Sequence, residues 1–172
     1  MEREIKFRGK TVPDGRWVYG YYVVMENETK TVTRHAIMDL LDKENQYIKD
    51  GKSYHMSVSV VEAETVSQYA GVKDKNGREI YEGDILRGDE YPYHDDGEDN
   101  YLGVVFFADD DYMWEVMKFV TAQSKRSGIS NFINDEFYGI DFSQMEVIGN
   151  LWDNKGLFRE SDEDIMKWFN GD

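Results

Sequence analysis

Along most of this chain, apolar residues alternate with polar ones more often than they recur at helical spacing. The clearest strand, Arg16 to Met25, is instead apolar on both faces. Trp17, Tyr19, Tyr21 and Val23 fall on one face and Val18, Tyr22 and Val24 on the other. Apolar residues on both faces predict a strand that is sandwiched or central in its sheet. Glu4 to Arg8 reads as a short strand with Ile5 and Phe7 on one side, and Pro13-Asp14-Gly15 as a turn. Thr31 to Arg34 resumes a strand. Between His35 and Asn45, Ile37, Leu40 and Leu41 keep helical spacing, which favours one or two helical turns; Tyr47 and Ile48 then return to strand. Ser53 to Val61 alternates, with Tyr54, Met56, Val58 and Val60 on one face. Further on, Tyr101 to Ala108 and Tyr112 to Val120 read as two strands joined by Asp109-Asp110-Asp111, and Gln144 to Leu151 as a short strand. Ser161 opens the clearest helix: it suits the N-cap, Asp162, Glu163 and Asp164 favour the positive end of the dipole, and Ile165, Met166 and Phe169 form an apolar stripe ending at Gly171.

The sharpest local signal lies between these runs, in Thr65 to Leu86. Lys75-Asn76-Gly77-Arg78 places Asn-Gly between two extended segments, which predicts a two-residue hairpin turn because both residues accept positive φ. Tyr69 to Asp74 would then pair with Arg78 to Glu82. Glu82-Gly83-Asp84 breaks the chain again, and Ile85-Leu86 starts a new strand. The stretch QYAGVKDKNGREIYEGDIL resembles the signature of the YopX-like family of phage and prophage proteins. Two flanking pieces fit the same resemblance: EIKFR at Glu4 to Arg8 followed by Trp17-Val18-Tyr19-Gly20-Tyr21, and EVIGN at Glu146 to Asn150. It covers roughly residues 3–157. It implies a mostly β phage protein in the bacterial cytoplasm, without an established activity, that assembles into oligomers. The segment between Val24 and Ser57 is longer than the family pattern, and Asp89 to Asn100 is more acidic.

Charge adds a partner constraint. The chain has 172 residues, a net charge of −15 and no cysteine. That length buries enough surface for a real core, and the lack of cysteine excludes disulfides and thiolate metal sites. Met1-Glu2-Arg3-Glu4 leads to no apolar run, so neither a signal peptide nor a membrane helix is expected. A chain of this charge repels nucleic acid and anionic membranes overall. The charge is uneven, however. Between Asp89 and Glu115 there is no Lys or Arg, while Lys73, Lys75, Arg78 and Arg87 cluster on the central stretch.

Candidate chemistry is sparse. Asp95, Asp96, Glu98 and Asp99 gather carboxylates, but their spacing is not that of a calcium loop. His35, His55 and His94 lack the short spacing of a zinc pair. No nucleophile elbow, phosphate-cradling loop or distinct carboxylate pair stands out, so no catalytic residue, metal ligand or cofactor is assigned. Three readings remain. The first is an accessory protein acting by protein–protein contact or self-assembly, with Tyr91, Tyr93, Asp95, Asp96, Glu98 and Asp99 meeting a basic host or phage protein. The second is a nucleic-acid-binding module using Lys73, Lys75, Arg78 and Arg87. The third is a metal-dependent enzyme using the acidic-loop carboxylates. The expected architecture is mainly β with minor α: a small curved or barrel-like antiparallel sheet, a second small lobe and a short C-terminal helix. That sheet should contain Ile80 to Leu86, Tyr101 to Ala108, Tyr112 to Val120 and Glu146 to Leu151. A single domain over 1–160, with lobes at about 1–65 and 66–160, would precede the helix at 161–172.

Overall fold

A computed structural model describes residues 4–31, 33–39, 46–49, 52–88, 101–108, 113–119 and 141–157. The fold is mainly β, with helix confined to short 3-10 turns among the described residues. The chain divides into two compact units, Met1–Tyr69 and Ala70–Asp172.

In the first unit, β1 (Phe7–Lys10) and β2 (Trp17–Glu26) form an antiparallel hairpin. The intervening turn is tied by side chains. Thr11 Oγ1 bonds the Asp14 carboxylate, and the Arg16 N–H donates to Thr11 Oγ1 at 3.0 Å. β2 changes partner midway: Trp17 to Gly20 pairs with β1, and Tyr21 to Glu26 with β3 (Thr33–Asp39). The changeover sits at Gly20, whose φ is +153°; a Cβ there would lie 2.1 Å from the Met38 carbonyl oxygen. Only glycine allows that conformation and that approach.

A separate hairpin follows, β4 (Gln46–Lys49) with β5 (Lys52–His55), before β6 (Ser57–Val61) pairs with β3. The far end of β6 then returns to the start of the unit. Around the Thr11–Val61 bridge, the Val12 N–H donates to the Val60 carbonyl at 3.1 Å and the Glu62 N–H to that of Lys10 at 2.9 Å. The sheet is therefore strongly curled, but one bridge does not close it into a barrel. Thr65, on the 3-10 turn after β6, secures this return: its hydroxyl accepts from the Lys10 N–H at 2.8 Å and donates to the Glu62 carbonyl at 2.7 Å.

Two expectations in this unit are corrected. The helical turns expected from His35 are a strand as far as Asp39. β3 is flanked by β2 and β6, and its consecutive residues Ala36 and Ile37 are both buried, on opposite faces. A strand covered on both faces loses the alternation that distinguishes it from a helix. Residues 40–45 lie outside the described set. The single strand expected over Ser53 to Val61 is two strands that break at Met56 and pair with different partners.

β7 (Ser67–Lys73) begins in the first unit, where Ser67 and Gln68 pair with β1, and continues into the second, where it adjoins β8 (Glu79–Tyr81). The remaining strands are β9 (Asp84–Gly88), β10 (Tyr101–Ala108), β11 (Met113–Phe119) and β12 (Glu146–Asn150). They form an open antiparallel sheet in the order β11-β10-β9-β12. Among the described residues the segments expected to share a sheet do so, except that Ile80 and Tyr81 belong to β8 and Leu151 lies in the turn after β12.

This sheet is apolar on both faces. Leu86, Val105 and Val147 pack with Ala70, Ile80 and Met145 in one cluster; Ile85, Leu102, Val104, Phe106 and Leu151 form another. Each fully buried aliphatic side chain is worth roughly 1.5–3 kcal/mol. Two-sided burial explains why Leu102 to Phe107 reads as a nearly continuous apolar run. The helix expected from Ser161 and the segment from Asp89 to Asn100 lie outside the described residues. Among those described, no helix is long and apolar enough to cross a membrane.

The Gly20 geometry yields a first prediction. Gly20→Ala should destabilise the protein by roughly 1–3 kcal/mol through backbone strain alone, read as a lower urea midpoint. An unchanged midpoint would show that the β2–β3 crossover tolerates a side chain.

Candidate functional site

A densely bonded polar site is the turn between β7 and β8. Its closing pair is Asp74 and Arg78: the Asp74 N–H donates to the Arg78 carbonyl at 2.8 Å, and the Gly77 N–H to the Asp74 carbonyl at 2.9 Å. The loop is thus Lys75-Asn76-Gly77, one residue longer than the expected Asn-Gly turn. Gly77 takes φ +79°, whereas Asn76 has no positive φ, so the mirror-image two-residue turn does not form.

The Asp74 carboxylate is buried and organises the turn. Oδ1 accepts from the N–H groups of Asn76 and Arg78, both at 2.8 Å. Oδ2 accepts from the Val147 N–H of β12 at 3.0 Å. Beside it, the Lys75 N–H donates to the Met145 carbonyl at 2.9 Å, and the Arg78 guanidinium to the Val147 carbonyl at 3.4 Å. The turn therefore lies along the side of β12 that faces away from β9. It supplies one acceptor and two donors where a further strand would supply its own.

The next break, Glu82-Gly83-Asp84, is built similarly. Asp84 is fully buried and accepts from the Tyr81 N–H at 2.8 Å. Gly83, at φ +74°, bridges two segments: its N–H donates to the Val105 carbonyl at 2.8 Å, and its own carbonyl accepts from the Leu151 N–H at 2.9 Å. The Trp152 ring covers it so closely that a Cβ would lie 2.4 Å from a ring carbon.

Of the four basic candidates, Lys73, Lys75 and Arg78 are exposed and Arg87 is half-buried. Lys75 and Arg87 converge on one carboxylate oxygen, Glu146 Oε2, at 3.4 and 2.7 Å. The hydrogen bonds from Arg87, then Lys75, hold the Glu146 carboxyl below its ordinary value. Two of the four cations are therefore already engaged by an acid, and Arg78 reaches across to β12. Tyr91, Tyr93, Asp95, Asp96, Glu98 and Asp99 lie outside the described residues, as does His94. Among the described residues, no group of three His, Cys, Asp or Glu side chains could hold a metal ion. His35 is half-buried, with Nδ1 2.5 Å from the Tyr22 hydroxyl.

A second feature was not anticipated. Tyr21, Met38 and Val58 stand opposite one another across β2, β3 and β6 and therefore share a face. Tyr21 is 52% exposed and Val58 47%, with Tyr19 (47%) and Met56 (40%) two residues before each. The apolar residues of β2 signal cover on both faces, but composition alone does not show which part of a face is left open.

A family model described as YopX protein matches residues 6–159. The chain belongs to the YopX family. The match runs from the residue before β1 past β12, so it contains the Asp74 turn, the Gly83 break and the apolar row. Among solved structures, the chain is similar to protein EF1440 from Enterococcus faecalis, with 19% identity over 92% of this chain and 100% of that one, and a TM-score of 0.49. No curated protein matches the chain. Within the matched range, Asp74, Gly77, Gly83 and Asp84 are all engaged in shaping the backbone.

Two outcomes follow for the turn. Asp74→Ala leaves three N–H groups without their acceptor and should cost roughly 2–4 kcal/mol in urea unfolding; a change near zero would show that water replaces the carboxylate. For Glu146, a depressed folded pKa means its contribution is complete above the unfolded value of 4.5 and is lost as pH falls through the folded value. A carbon-detected titration should place its midpoint below 4.5 and move it upward in Arg87→Gln; an unmoved midpoint would remove Arg87 as the main cause.

Proposed function

We propose that this chain is an accessory protein of the phage and prophage type, working in the bacterial cytoplasm through contact with other protein chains, its own copies first among them. The supporting observation is the row Tyr21–Met38–Val58, in which Tyr21 and Val58 are exposed. Single exposed apolar residues are ordinary, but a row across three strands that includes a tyrosine has the composition of a contact surface. A tyrosine fits such a place because it offers a large apolar area at low entropic cost while its hydroxyl stays wet. A basic host or phage protein is the other partner in this reading, met by Tyr91, Tyr93, Asp95, Asp96, Glu98 and Asp99. The net charge of −15 favours it over an acidic one.

Sedimentation velocity on the native chain and on a Tyr21→Asp/Val58→Asp variant tests this. The native chain should show a mass above the monomer that rises through the micromolar range, and the variant should remain monomeric at unchanged circular dichroism. The same mass for both would overturn the assignment of the row.

A further inference from the structure

The bonds along β12 have a consequence separate from the apolar row. Met145 O, just before β12, and Val147 N and Val147 O on its outward side are each met by the Asp74 turn: by the Lys75 N–H, Asp74 Oδ2 and the Arg78 guanidinium. Two of these three partners are side-chain groups, so the edge is answered by something that cannot itself be extended as a strand. From this geometry we infer that the Asp74 turn is a strand mimic, which ends the β11-β10-β9-β12 sheet and keeps β12 from pairing with the β12 of a second copy. An open edge with apolar residues such as Val147 and Ile148 is a template for strand addition. Pairing of two β12 edges about a two-fold axis would satisfy both at once. The turn prevents this by occupying the acceptor and donor positions first.

The test uses a fluorescent peptide with the sequence of residues 144–151, titrated into the full-length chain. Peptide binding is read instead of oligomeric state, so the result does not depend on the apolar row or on the function proposed from it. The native chain should bind the peptide weakly. Asp74→Ala/Arg78→Ala should bind it at least about tenfold tighter, as expected for recovered edge hydrogen bonds. In that complex the Val147 amide should exchange more slowly than in the free variant. Equal binding by the two chains, or binding that leaves Val147 exchange unchanged, would overturn the inference. Should the double variant lose its strand signal, Arg78→Ala decides alone, because it keeps every bond to the Asp74 carboxylate. It should bind about threefold tighter than the native chain, and no gain would overturn the inference.

Discussion

The second unit depends on one buried carboxylate. Asp74 accepts from Asn76, Arg78 and Val147, so a single side chain fixes the shape of a hairpin loop and attaches that loop to a strand more than seventy residues later in the sequence. A carboxylate suits the task because it carries two acceptor oxygens and no donor, and its charge strengthens each N–H contact. A buried N–H that loses such a partner is costly. The bond to Val147 therefore aligns β12, and β12 in turn aligns on β9, where Val147 faces Leu86 across the register and both enter the same apolar cluster.

The YopX resemblance takes on a physical meaning in this light. Its central residues are Asp, Gly and Asn at the places where the backbone turns sharply or passes close to another segment. Gly83 lies beneath the Trp152 ring, and Asp84 holds the N–H of Tyr81. Such residues specify a fold, and function must then be sought on surfaces that the fold leaves exposed, such as the row across β2, β3 and β6.

Much of this was legible in sequence. Apolar runs between turn signals marked β2, β10 and β11, alternation marked β6 although it carried the strand on into β5, and Gly83 marked its break, because each depends on local chemistry. The misses came from contacts between distant segments. Ile37 kept helical spacing with Leu40 and Leu41, yet Ala36 and Ile37, on opposite faces of β3, are both buried, and burial on both faces erases the period of two. Asn76-Gly77 suggested a two-residue loop, but the Asp74 carboxylate captures the N–H groups of Asn76 and Arg78 and stabilises a three-residue loop instead. Glu146, too, reads in the sequence only as part of a strand, although Lys75 and Arg87 meet on it. No one-dimensional signal connects residues so far apart. The exposed row was hidden for the opposite reason: Tyr21 and Val58 look like core residues, and only the packing shows that they are open.

Native-state hydrogen exchange, resolved by residue, tests the role of Asp74 most directly. If one carboxylate holds both the turn and β12, the amides of Asn76, Arg78 and Val147 must open together, with the same free energy and the same response to urea. Exchange of Asn76 and Arg78 at the rate of an unstructured loop, while Val147 stays protected, would contradict it.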